Sequence, residues 1–210
     1  NIVWYLAQTR IALGSDAPDL ADRLAGHAIK ALREAKDATF HTAPVEAVEM
    51  VVEDYAHELA DDYARLPDDL DPILRTSDRL TLALAALKLT APGIPDIYQG
   101  CESTCYALTD PDNRRPVAFD VLATALDDPI ILGPVGSEKF RLTRSLLSLR
   151  REMPEVFLDG QYAPIPAPEG TIAFERVAGA TRIAVAVAPR HGTDAALTDR
   201  GAELIATSDG

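Results

Sequence analysis

The sequence predicts an α+β, or partial α/β, chain that is mostly helical up to about Asp159 and β-rich beyond it. Three observations predict it. Apolar residues recur at helical spacing between Leu20 and Leu89. One short apolar run, Ile94 to Gly100, lies between helical stretches, and after Gly160 the apolar period changes to alternation.

The elements follow in order. Leu20, Leu24, Ala28, Leu32 and Ala35 share one helical stripe, with Ser15 and Asp16 as cap candidates and Pro18 in the first turn. A second amphipathic helix follows Pro44 and carries Val48, Val52, Tyr55, Leu59 and Tyr63. Its other face is acidic. Between Ala43 and Pro72 stand ten carboxylates and one base, Arg65, which predicts a solvated face and loop rather than a metal or basic-partner site. A third helix, from about Ser77 to Leu89, is apolar almost all round and is expected to be buried on most sides.

Ala91-Pro92-Gly93 breaks that helix. Residues 94–100, Ile-Pro-Asp-Ile-Tyr-Gln-Gly, then suit one parallel strand of an α/β sheet or barrel that ends at Gln99-Gly100. A long polar loop is expected over 101–120. The last helix is expected over 137–153, capped by Ser137, with the stripe Leu142, Leu146, Leu149, Met153 and a stop at Pro154. Ile172 and Phe174 alternate with smaller or polar residues, as do Ile183, Val185 and Val187, around an Ala178-Gly179-Ala180 turn. Tyr162 to Ile165 add a third strand, and a domain boundary is expected near Asp159-Gly160.

Composition narrows the function. The 210 residues suffice for one large domain or two small ones, and 47% hydrophobic with 25% charged residues is a globular balance. A net charge of −13 repels phosphate backbones, so no nucleic-acid partner is expected. No apolar run approaches the roughly 20 residues that cross a bilayer, and no export signal is visible, so the expectation is no membrane partner and a cytoplasmic location. Cys101 and Cys105 form no metal-ligand pattern and read as thiols of a reducing compartment. His27, His41, His57 and His191 are scattered. Neither a metal nor a cofactor is expected, since G-x-G-x-x-G, P-loop, G-x-S-x-G and H-E-x-x-H are all absent. The chain opens at Asn1 in what reads as the middle of a folded element and stops soon after a hairpin, so a piece of a longer protein is expected.

Two places carry candidate chemistry. The first is the strand end, with Tyr98, Gln99 and Glu102, because ligands of α/β barrels sit at the C-terminal ends of the strands. Glu102 serves equally well as a loop anchor. The second is Asp110-Pro111-Asp112-Asn113-Arg114-Arg115-Pro116, stiffened by two prolines. Its arginines either pair with Asp110 and Asp112 or present donor forks to the hydroxyls of a polar ligand.

These residues resemble a family. The stretch 87–100, Leu-Lys-Leu-Thr-Ala-Pro-Gly-Ile-Pro-Asp-Ile-Tyr-Gln-Gly, followed by Asp110 to Val117, is similar to maltooligosyl trehalose synthases of the α-amylase clan. Arg33-Glu34-Ala35-Lys36, the Leu142 to Arg151 segment and Gly160-Gln161-Tyr162 resemble the family in order and spacing. The sequence departs from it at Cys101 to Tyr106 and at Thr39-Phe40-His41, where the family is richer in aromatic residues. The resemblance implies that 1–159 is the C-terminal part of a catalytic (β/α)8 barrel, with its last strand near 94–100, and that 160–210 begins a β domain. It implies rearrangement of the reducing-end α-1,4 bond of a maltooligosaccharide to α,α-1,1 by intramolecular transglucosylation. It also implies substrate contacts from Tyr98, Gln99, Glu102, Asp110, Asp112, Asn113, Arg114, Arg115 and Lys36, and no catalytic residue in this chain. The partner implied is the missing N-terminal part of the same polypeptide, without which the chain is expected to be inactive and its bared faces to favour a fragment dimer. The rival reading is a non-catalytic carbohydrate-binding or scaffold module built from an amylase-like barrel.

Overall fold

The structure, a computed structural model, describes residues 2–14 and 17–189. Ser15, Asp16, His191 and the stretch 190–210 of the expected β domain lie outside the described residues. Contacts divide the chain into two compact units, one running to Asp71 together with Tyr106–Pro116, the other formed by Pro72–Cys105 together with Val117 onward.

The first unit is helical. It holds α1 (Ile2–Ala12), α2 (Leu20–Ala35) and α3 (Glu46–Asp62). Their apolar faces meet in a core of Leu6, Leu13, Leu24, Ala28, Ala56 and Leu59, against which Leu108 of the 106–116 loop also packs. The α2 stripe is as expected at Leu20, Leu24 and Ala28, whereas Ala35 at its end is exposed, and the N-cap is Asp19. On α3 the stripe ends earlier than expected: Tyr63 is the C-cap and 43% exposed, while Glu49 is buried. The carbonyls that α3 leaves unpaired at its end go to a buried arginine. Arg10 Nε donates to Tyr63 O at 2.7 Å and Nη2 to Ala64 O at 3.0 Å, a cation at the negative end of a helix dipole.

The second unit holds α4 (Asp71–Thr90), α5 (Phe119–Thr124), α6 (Pro134–Glu152), α7 (Pro154–Leu158) and the strands β1 (Gln161–Pro164), β2 (Ile172–Ala178) and β3 (Thr181–Val187). The strands form one antiparallel sheet in the order β1-β2-β3. Ala178 pairs with Thr181, so the hairpin turn is Gly179-Ala180, with Gly179 at φ 58°. Val156 and Phe157 of α7 pack with Phe174, Ile183 and Val185 of the sheet.

Several expectations are corrected. Residues 94–98 are not a strand. A parallel strand needs neighbours to pair with, and the described strands pair only with one another. Ile94 is 88% exposed, whereas Ile97 packs on the core of Ala83, Ala86, Leu89 and Leu146. α4 is buried on one side only, since Ile73, Leu80 and Leu84 are exposed along the other. The 101–120 loop contains a 3-10 turn at Asp112–Arg114 and gives way to α5 at Phe119. Ser137 does not cap α6. The helix starts a turn earlier at Pro134, whose fixed φ suits a first helical position, behind the N-cap Gly133.

Candidate functional site

Within the first unit the loop 106–116 is fastened by charge at several points. The Asp112 carboxylate is filled: Oδ1 accepts Arg23 Nε at 2.8 Å, and Oδ2 accepts Arg23 Nη2 at 2.8 Å and the Leu108 amide at 2.7 Å. The Arg23 and Asp112 side chains are 6% and 11% exposed, and Arg23 Nη2 also donates to Tyr106 O at 2.6 Å. Hydrogen bonds from Arg23 and from the Leu108 amide hold the Asp112 carboxyl below its ordinary range against the opposing effect of burial. Arg115 Nη2 meets Asp19 Oδ2 at 2.6 Å, and Lys30 Nζ donates to Asp110 O. Arg114 pairs with Asp110 at the rim.

Two groups of this loop stay available. Arg114 is 71% exposed at its side chain, so solvent weakens its rim pair and the guanidinium is free to exchange partners. Asn113 Oδ1 is buried and accepts no hydrogen bond. The loop therefore splits: Asp112 and Arg115 brace it, and Asn113 and Arg114 carry unspent polar capacity. Arg23 was missed in the sequence reading. Its signal was an arginine between Leu20 and Leu24, on the side of α2 that faces the core. Lys36, at the C-cap of α2 in the same unit, is exposed and has φ 56°.

Tyr98, Gln99 and Glu102 belong to the second unit. A turn closes on them, with the Cys101 amide donating to Tyr98 O at 2.9 Å. Gly100 sits there at φ 81°, where a Cβ would lie 3.2 Å from both Val117 methyls, so only glycine suits the turn. The next loop wraps the start of α6. Ser103 Oγ donates to Gly136 O at 3.1 Å and Lys139 Nζ to Ser103 O at 2.7 Å. Glu102 Oε2 is buried without a partner, and Glu102 lines a cleft of about 580 Å³ with Leu126, Phe140, Thr143, Arg144 and Arg151. Cys101 and Cys105 are in no disulfide. Among the described residues no group of three or more His, Cys, Asp or Glu is placed to hold a metal, and no helix is long and apolar enough to cross a membrane.

No family model matches the chain. Two putative maltooligosyl trehalose synthases of Mycobacterium tuberculosis, strains CDC 1551 / Oshkosh and H37Rv, are each 37% identical to it over 171 residues, covering 78% of this chain and 21% of theirs. A crystal structure of a maltooligosyl trehalose synthase superposes with a TM-score of 0.73 at 34% identity, covering 84% of this chain and 26% of that one. The maltooligosyltrehalose synthase of Arthrobacter ramosus superposes at 0.60 with 32% identity, covering 80% and 24%. The resemblance carried by the motifs is thus borne out in sequence and in fold. The chain spans about a fifth of the length of the curated relatives it matches.

Proposed function

We propose that the chain is a segment of a maltooligosyl trehalose synthase and builds part of the cleft that rearranges the reducing end of a maltooligosaccharide. In this reading 1–159 is the closing part of a barrel and 160–210 the start of a β domain. The single observation that carries it is the Asp110–Pro116 loop, braced by the buried Arg23–Asp112 pair and the exposed Arg115–Asp19 pair while Arg114 keeps an exposed guanidinium to spend. An isomerase of this kind must break an α-1,4 bond, retain the freed glucose, turn it, and rejoin it α,α-1,1 before water intervenes. Retention of that sort needs donors and acceptors held at fixed positions, because a sugar loosely held escapes and water replaces it.

Transfer with retention needs two carboxyl groups about 5 Å apart, one as nucleophile and one as acid and base. No residue of this chain is assigned to either role, and the rest of the longer polypeptide supplies them. Residues 94–97 support such completion. They make no backbone–backbone hydrogen bond among the described residues, which leaves donors and acceptors for strands of a longer polypeptide. The exposed stripe Ile73, Leu80 and Leu84 of α4 is likewise apolar surface to be covered by those added elements. Tyr98, Gln99 and Glu102 then contribute to the substrate cleft from the turn that follows this segment, and Lys36 contributes an ammonium to a sugar hydroxyl. Thiols in no disulfide accord with a cytoplasmic enzyme.

The test is the reading frame upstream of Asn1. A frame encoding a polypeptide between three and four times this length, with strands able to flank 94–98, is expected from the 78% of this chain that covers 21% of the relatives. A start codon at this position would overturn the reading.

A further inference from the structure

The connection from Lys36 to Val45 joins α2 to α3, and one carboxylate of α3 grips it. Glu49 Oε1 accepts Arg33 Nε at 2.8 Å, and Oε2 accepts Arg33 Nη2 at 2.6 Å. The Thr39 hydroxyl also donates to Glu49 Oε1, at 2.6 Å, while its oxygen accepts the Val45 amide at 2.9 Å. Thr39 is 0% exposed and Glu49 7%, while the Arg33 side chain is 31% exposed, so the carboxylate is sheltered and the guanidinium is partly wet. Its placement along the chain is the informative part. Arg33 stands three residues before Lys36, and Thr39 three residues after it.

Glu49 thus holds side chains on both sides of one exposed lysine, from a different helix. Lys36 itself sits at the C-terminal end of α2 with φ 56°, where glycine is the usual residue and any other pays in backbone strain. A strained residue persists where its surroundings over-determine it, and such residues gather at functional positions. Buried ion pairs return little net stability, because desolvation offsets attraction, and their better-attested use is to fix one arrangement among several. A lysine gains most from being fixed in this way. Its ammonium is a point charge on a long flexible stem, so the position and direction of its Cα decide what it reaches.

We propose that Glu49 is a positioning residue, which by holding Arg33 and Thr39 together sets where Lys36 presents its ammonium to the sugar. The proposal rests on the reading of Lys36 as a sugar contact, and the experiment separates the two. In the enzyme that carries this segment, Lys36→Ala, Glu49→Gln and the double variant are compared by KM, kcat and melting temperature. Thr39→Val and Thr39→Ser serve as a second probe of the same grip, should Glu49→Gln fold poorly.

Lys36→Ala is expected to raise KM about tenfold and Glu49→Gln about fivefold, and the double variant no further than Lys36→Ala. Thr39→Val should follow Glu49→Gln, and Thr39→Ser should restore the parent KM by keeping the hydroxyl. Equal factors for Glu49→Gln in the parent and in the Lys36→Ala background would overturn the proposal, since the two side chains would then act independently. A lowered melting temperature with an unchanged KM would also overturn it and leave Glu49 as a brace. An unchanged KM in Lys36→Ala would instead remove the sugar contact, and with it anything for Glu49 to position.

Discussion

At Asp112 the chemistry open to the loop is set by what already occupies the carboxylate. Both oxygens are spent on Arg23 and the Leu108 amide, so in the proposed reading any sugar contact of the loop falls to neighbours such as Arg114. The motif made all of these residues candidates alike, and it was silent on the division because the decisive partner, Arg23, lies far away in sequence. Arg114→Ala in the full enzyme is expected to raise free glucose relative to trehalosyl product with little change in melting temperature. Asp112→Asn is expected to cost about 1.5–3 kcal/mol of stability through its lost charged hydrogen bonds. Product analysis at equal substrate consumption, beside thermal melts, separates the two.

Acid titration tests the same charges. Arg33 and Thr39 hydrogen bonds, with the nearby His41 charge adding to them, lower the Glu49 carboxyl from 4.5 to about 2, and Arg23 lowers that of Asp112. Both groups bind protons more weakly folded than unfolded, so their stabilisation is present above pH 4.5 and fades as pH falls toward 2. Melting temperature measured across that window should fall more gently in Glu49→Gln than in the parent. An identical slope in both would show that Glu49 is not held in this way.

At the scale of elements, the long helices α2, α3, α4 and α6 were legible, the short α5 and α7 were not, and 94–98 was read as a strand that it is not. A helix satisfies its own backbone, so the stripe Leu20, Leu24, Ala28 sufficed to find α2. The hairpin was legible too, since β2 and β3 are adjacent in sequence and pair locally. Residues 94–98 have strand-like composition but no pairing partner among the described residues, so pattern alone overstated them. The start of α6 was misplaced because Ser137 has a capping side chain, yet Gly133-Pro134 begins the turn. α2 carries left-handed residues at both ends, Asp19 and Lys36, which no periodicity reveals. Lys36→Gly should therefore gain about 1 kcal/mol in chemical denaturation by relieving that conformation, while losing the proposed sugar contact. A loss of stability would mean that Lys36 is not strained.

At the scale of the whole molecule, the candidate residues are divided between two units: Lys36 and the 106–116 loop in one, and Tyr98, Gln99 and Glu102 in the other. In the proposed reading, the segment 94–97, which makes no backbone–backbone hydrogen bond among the described residues, and the exposed apolar side of α4 are where this chain would depend on more polypeptide. That dependence is the central claim. Its most direct test is the yield of α,α-1,1-linked product from maltopentaose, measured for the polypeptide of the complete reading frame and for this chain alone. The account predicts conversion by the complete polypeptide and none by the chain, which has no carboxylate pair assigned to the transfer. Dose-dependent conversion by the purified chain, or none by the complete polypeptide, would contradict it.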